Sequence, residues 1–235
     1  MNKITLFFAL FLGLTFKIRA QIADSETYLS DLKKELVIEW PKNRTINLVF
    51  HGHSVPAGYW ENHEVHTLES YPNLVLAKLK EKYPYAVINV IVTAIGGENS
   101  LSGQKRFEQE VLVHKPDVLF IDYALNDRGA GLEKAKEAWE KMIQSALSKN
   151  IKIILLTPSP DQRVDIKTAG NDLELHTNQI IKLAETHHIG LVDSYAQFKK
   201  IAIRGDLVKY MASVNHPNLA GHQLIANELV KWFTK

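Results

Sequence analysis

The sequence predicts an α/β protein: a three-layer α/β/α sandwich on a five-stranded, mostly parallel sheet. Three observations carry this expectation. Segments 46–50, 86–92, 118–121 and 151–156 are apolar almost throughout, with a shorter fifth run at 190–193. Runs without polar alternation suit strands covered on both faces, as a parallel sheet requires. Helical patterns fill the gaps, so strand and helix alternate five times along the chain.

The clearest helix spans 132–149, where Leu132, Ala135, Trp139, Met142, Ile143, Ala146 and Leu147 recur at three- and four-residue spacing opposite Glu and Lys. That stripe packs one helix face on the sheet. Less regular patterns predict helices over 71–83, 172–188 and 218–233, the last entered through His216-Pro217-Asn218. Proline near a first helical turn fits that entry. No repeat, low-complexity stretch or Gly/Ser-rich linker divides the chain, so a single domain is expected.

Residues 1–20 read as a signal peptide: Lys3 gives a positive start, 4–16 is apolar, and Lys17-Ile18-Arg19-Ala20 is a polar exit ending in a small residue. The run is too short for a bilayer span, which needs about 20 apolar residues. The mature domain is therefore expected at 21–235, secreted or periplasmic, with no stable membrane insertion after cleavage. The whole chain carries a net charge of +2, and without the leader 25 basic residues face 26 acidic ones, a net −1. Such a balance gives no electrostatic support to a nucleic-acid partner. With no cysteine in the chain, a disulfide, a thiol nucleophile and a thiolate metal site are all excluded.

In an open parallel sheet, ligands bind beyond the carboxyl ends of the strands. The residues there are His51-Gly52-His53-Ser54 after the first run, Ile95-Gly96-Gly97-Glu98-Asn99-Ser100 after the second, Ala124-Leu125-Asn126-Asp127 after the third and Thr157-Pro158-Ser159-Pro160-Asp161 after the fourth. Asn215-His216-Pro217-Asn218 brings a histidine to the same edge. A serine at a tight turn, a histidine that takes its proton, and amide or glycine N–H donors form a nucleophile, a general base and an oxyanion hole. This is equipment for acyl transfer, which requires no cofactor.

At these residues the sequence resembles the SGNH hydrolases, also called GDSL esterases, across nearly all of 45–222. The resemblance implies their flavodoxin-like fold and a catalytic set. By that match Ser54 is the nucleophile, Gly97 and Asn126 supply the oxyanion hole by a backbone N–H and a side-chain amide, and His216 is the base. Three positions depart from the family pattern. His53 replaces an acid before the serine, Ala124 replaces a glycine, and Ser213 stands where an Asp precedes the histidine by three residues. That Asp would orient the imidazole. Ser213, a nearby backbone carbonyl, Asp161, Asp193 and Asp206 are the candidate substitutes.

The expected activity is hydrolysis of short acyl esters, acetyl first, on a small-molecule or polysaccharide substrate. The polar loop after Ser54, with Glu61, Asn62, His63, Glu64 and His66, favours this over a long acyl chain. The alternatives are a lipid-ester hydrolase and a non-catalytic carbohydrate-binding protein on a decayed esterase scaffold. Tyr59 and Trp60 offer either a platform for a sugar face or a core or lid contact. His51, His53, His63 and His66 lie close enough in sequence to raise a metal site, but that reading leaves the other blocks unexplained. Asp127 is expected to be structural, His114, His187 and His188 to lie at the surface, and His176 and His222 receive no role.

Overall fold

A computed structural model describes residues 21–234, so the leader expected at 1–20 lies outside the described residues. The elements run α1 (Ser30–Leu36), β1 (Thr45–Gly52), α2 (Ser54–Ala57), α3 (Tyr71–Lys82), β2 (Val87–Val92), α4 (Ser100–Glu110), β3 (Val118–Asp122), α5 (Ala124–Asp127), α6 (Leu132–Leu147), β4 (Lys152–Leu156), α7 (Asp172–His187), β5 (Gly190–Val192), α8 (Ser194–Ile203) and α9 (Leu219–Thr234), with three short 3-10 turns. The five strands form one sheet in the order β2-β1-β3-β4-β5. Every pairing is parallel.

Alternate residues of the central strands enter two separate cores. Ile46, Leu48, Phe50, Val118, Phe120, Ile154 and Leu156 pack with α1, α3, α8 and α9. Val49, Leu119, Ile121, Ile153 and Leu155 pack with α4, α6 and most of the buried face of α7. Two-sided burial is why β1, β3 and β4 read as continuous apolar runs. Strand β2 departs from that expectation. It is an edge strand with none of its six residues fully buried, and Val87 is 46% exposed. Its apolar composition reflects β propensity rather than enclosure.

Helices α1, α4 and α8 have no counterpart among the sequence expectations. In α4 the buried residues are Ser100, Gly103 and Phe107, too few apolar positions to leave a periodic stripe. The helix starts because Asn99 accepts the Ser102 N–H at 3.3 Å and Asp127 accepts the Ser100 N–H at 2.8 Å, filling orphan donors of the first turn. Asp193, placed by sequence at a strand end, instead caps α8 through the Ala196 N–H at 3.0 Å. The last helix begins at Leu219, with Asn218 accepting the Gly221 N–H at 3.2 Å. Pro217 therefore lies before the helix, bridged to Met211.

The chain leaves β1 towards β2 and returns past β1 to β3, so the sheet order reverses between β1 and β3. Gly52 and Asp122 pair in register at the carboxyl ends of these two strands. That crevice is where a doubly wound sheet receives its ligand, and Ser54 and Asn126 flank it.

Candidate active site

Ser54 is the first residue of α2, immediately beyond β1. The turn is fixed by His53, whose Nδ1 accepts the Val55 N–H at 3.3 Å. A ring that accepts at Nδ1 carries its proton on Nε2, and this atom faces Asp122 Oδ1 at 3.4 Å in a fully enclosed setting. The other Asp122 oxygen accepts the Tyr71 hydroxyl at 3.0 Å. A carboxylate thus does stand behind the Ser54 turn, supplied by the end of β3 and not by position 53.

His216 approaches from the loop before α9, and its Nε2 lies 2.9 Å from Ser54 Oγ. Its Nδ1 lies 3.1 Å from Ser213 Oγ. With Nε2 accepting the serine proton, Nδ1–H donates to the Ser213 hydroxyl. The loop is pinned from both sides: the Ala212 N–H donates to the His216 carbonyl at 2.9 Å, and Gln162 donates its backbone N–H to Val214 and its side-chain amide to the Ser213 carbonyl. Burial first, and then neighbouring His53, hold the His216 pKa below the ordinary imidazole value, while the Trp60 carbonyl pulls the other way.

The three carboxylates considered as substitutes for an orienting Asp are engaged elsewhere. Asp161 is ion-paired with Arg128 and Arg163 at 2.5 and 2.7 Å. Asp193 caps α8 and accepts the Thr157 hydroxyl at 2.9 Å. Asp206 pairs with Lys209 at 2.6 Å. Of the candidates, Ser213 is the one in hydrogen-bond contact with the ring.

Gly97 occupies the left-handed region, with φ of 77°, which favours glycine. Its side is open, since nothing lies within 4 Å of where a Cβ would stand. Its N–H has no acceptor among the described residues. Asn126, on α5, donates one amide proton to the Glu98 carbonyl at 2.9 Å and retains a second. Asp127 is structural, as expected: it accepts the Ser100 N–H at 2.8 Å and the Trp139 indole N–H at 2.7 Å.

Tyr59 and Trp60 border this centre. The Tyr59 ring lies against Gly96, and its centroid is 6.2 Å from that of His216. Trp60 stacks on His66 at 4.4 Å with the planes 8° apart. His66 is gripped by Glu64 and Glu69, whose hydrogen bonds raise its pKa. The loop is less polar than its sequence suggests, because Leu68 and Val65 are 82% and 47% exposed.

The four clustered histidines disperse. His51 is buried against Tyr123 and Phe107, His53 faces Asp122, His63 is exposed at the loop tip, and His66 sits between carboxylates. Among the described residues no group of three or more His, Asp or Glu side chains is arranged to hold a metal ion. His176 and His222 are buried, and burial drives the His222 pKa down to about 3. His187, expected at the surface, is largely covered and pairs with Glu140 at 2.6 Å. Among the described residues no helix is long and apolar enough to cross a membrane.

The five-stranded parallel sheet with helices on both faces is the α/β fold of the SGNH hydrolases. The sequence signature of the GDSL-like Lipase/Acylhydrolase family matches residues 50–224, and the chain belongs to that family. Its fold resembles a two-domain esterase, CEX, active on acetylated mannans, at a TM-score of 0.72 and 20% identity, covering 92% of this chain and 54% of that one. The chain thus spans about half the length of that protein. It also resembles Axe2, an acetylxylan esterase from Geobacillus stearothermophilus, at a TM-score of 0.70 and 20% identity, over 81% of this chain and 94% of Axe2. No curated protein sequence matches the chain.

Proposed function

We propose that this protein is an exported serine esterase that removes acetyl groups from a carbohydrate. The observation that carries the mechanism is the 2.9 Å contact between Ser54 Oγ and His216 Nε2 at the crevice beyond β1 and β3. His216 takes the serine proton as Oγ attacks the ester carbonyl. The developing oxyanion is stabilised by the N–H groups of Ser54 and Gly97 and by the free amide proton of Asn126. Collapse expels the sugar hydroxyl, which receives its proton from His216, and water then hydrolyses the acetyl-enzyme with the same base. Ser213 holds the imidazole in the tautomer this needs.

The fold likeness to enzymes active on acetylated mannans and xylan supports the substrate class. So does the aromatic border of Tyr59 and Trp60. The exposed Leu68 and Val65 favour a second reading, a longer acyl chain or lipid ester. The test is acetate release from acetylated mannan and acetylated xylan, run with nitrophenyl esters from acetyl to octanoyl. Ser54→Ala is expected to lower turnover by about 10⁴-fold or more, and turnover within tenfold of wild type rejects the assignment. A rate that climbs steadily from acetyl to octanoyl promotes the lipid-ester reading. Export is tested by whether the protein recovered from the periplasm or medium begins near Gln21.

A further inference from the structure

Behind Gly97 lies a cluster of charged side chains that the mechanism above does not use. Glu98 Oε1 accepts Arg106 Nε at 2.9 Å, and Glu98 Oε2 accepts Arg106 Nη2 at 2.5 Å and the Tyr123 hydroxyl at 2.7 Å. Arg106 Nη2 also donates to the Thr93 carbonyl at 2.6 Å. His51 Nε2 meets the Tyr123 hydroxyl at 3.1 Å. The Glu98 and Arg106 side chains are only 9% and 13% exposed.

We propose that Glu98 is the positioning residue of the oxyanion hole, fixing both donors outside the nucleophile turn through its carboxylate and its carbonyl. This rests on the reading of Ser54, Gly97 and Asn126 given above. The Glu98 N–H is held by the Ile95 carbonyl at 3.2 Å, its carbonyl by Asn126, and its carboxylate by Arg106 and Tyr123. Every polar group of Glu98 is anchored, so the Gly96–Gly97–Glu98 backbone has one fixed end beside the donor N–H.

The second donor is tied to the same residue twice. Tyr123 precedes α5 and accepts the Asn126 N–H on its carbonyl at 3.0 Å. The Tyr123 hydroxyl and the Asn126 amide therefore both join α5 to Glu98, one through the carboxylate and one through the carbonyl. Two ties between the same segments set their spacing. Residue 103 confirms how close the ring must come: a Cβ there would stand 2.2 Å from the Tyr123 hydroxyl, so α4 carries glycine.

Charge decides why the cluster is a pair. An unpaired carboxylate next to the oxyanion hole would repel the anion that forms there. Burial disfavours the charged carboxylate, but the hydrogen bonds from Arg106 and Tyr123 outweigh it and lower the Glu98 pKa. Burial holds His51 neutral, with its pKa down to about 4. The buried Glu98–Arg106 pair is thus held by strong charge-assisted bonds and is neutral in itself, while the second carboxylate on Arg106, Glu110 at 3.1 Å, lies on the exposed side of the guanidinium.

The test uses the full chain, 4-nitrophenyl acetate and steady-state kinetics. Misplacing a catalytic donor by about 1 Å costs about 10²-fold, so Glu98→Ala is expected to lower kcat by about 10- to 100-fold with KM changed less than about threefold. In an Asn126→Ala background the same substitution is expected to cost less, because one of the two donors it positions is gone and only the Gly97 N–H remains to be misplaced. A merely structural role predicts the same loss in both backgrounds. Equal losses, or a Glu98→Ala kcat within about threefold of wild type, overturn the proposal. Should Glu98→Ala fail to fold, Tyr123→Phe, which deletes one hydroxyl, is held to the same comparison. If Ser54→Ala retains turnover, the reading of the site fails and this proposal with it; if Ser54→Ala abolishes turnover and Glu98→Ala does not lower it, the proposal alone is overturned.

Discussion

At His216 the imidazole is met by neutral groups, the Ser213 hydroxyl at 3.1 Å on Nδ1 and the Ser54 hydroxyl at 2.9 Å on Nε2, whereas beside Gly97 a carboxylate is gripped by a guanidinium and a phenol at 2.5 to 2.9 Å. In the proposed mechanism, the base is oriented by a dipole and the oxyanion loop is braced by an ion pair. In a charged triad the carboxylate both fixes the tautomer and stabilises the imidazolium. Here Ser213 does the first of these tasks and offers only a dipole for the second. The ion-paired construction lies instead where the proposed mechanism develops the negative charge of its transition state. Electrostatic stabilisation at that position is usually the largest single contribution to acyl transfer.

The contrast is broken most severely on the oxyanion side. Asn126→Ala is expected to lower kcat by about 10²–10³-fold, as for loss of one oxyanion donor. Steady-state turnover with acetyl esters measures it, and an unchanged kcat removes Asn126 from the site.

A smaller effect is expected from giving the base the carboxylate it lacks. The base must be neutral to act, and the His216 pKa is depressed by burial and by His53. The acidic limb of kcat/KM should therefore lie below the ordinary imidazole value of about 6.5. Ser213→Asp sets a negative charge beside the ring, favours the protonated imidazole and moves that limb to higher pH. With Asp161, Asp193 and Asp206 engaged elsewhere, kcat should be preserved or raised at alkaline pH. A fall in kcat with no shift of the limb would mean that the ring is oriented by another group.

Much of this arrangement was legible in the sequence, for a physical reason. Central strands buried on both faces leave uninterrupted apolar runs, and the residues after them fall on one edge, so Ser54, Gly97, Asn126 and His216 are read by position. Helix α4 was not legible because Phe107 is its sole large buried side chain. The clamp on Glu98 was hidden because Arg106 and Tyr123 come from separate elements, 8 and 25 residues away. Gly-Gly-Glu reads as a tight turn with a solvated acid until α4 is known to lie against it. Likewise His53 reads as the loss of an acid, although Asp122 restores a carboxylate from the neighbouring strand.

The most direct test of the central contrast sets Ser213→Ala beside Asn126→Ala on one acetyl ester, with kcat measured above the acidic limb. A neutral hydrogen bond contributes about 0.5–1.5 kcal/mol, so Ser213→Ala is expected to lower kcat by about two- to thirteenfold, well short of the loss at Asn126. A loss at Ser213 equal to or larger than that at Asn126 would contradict the account, because it would place the decisive stabilisation at the imidazole and not at the oxyanion.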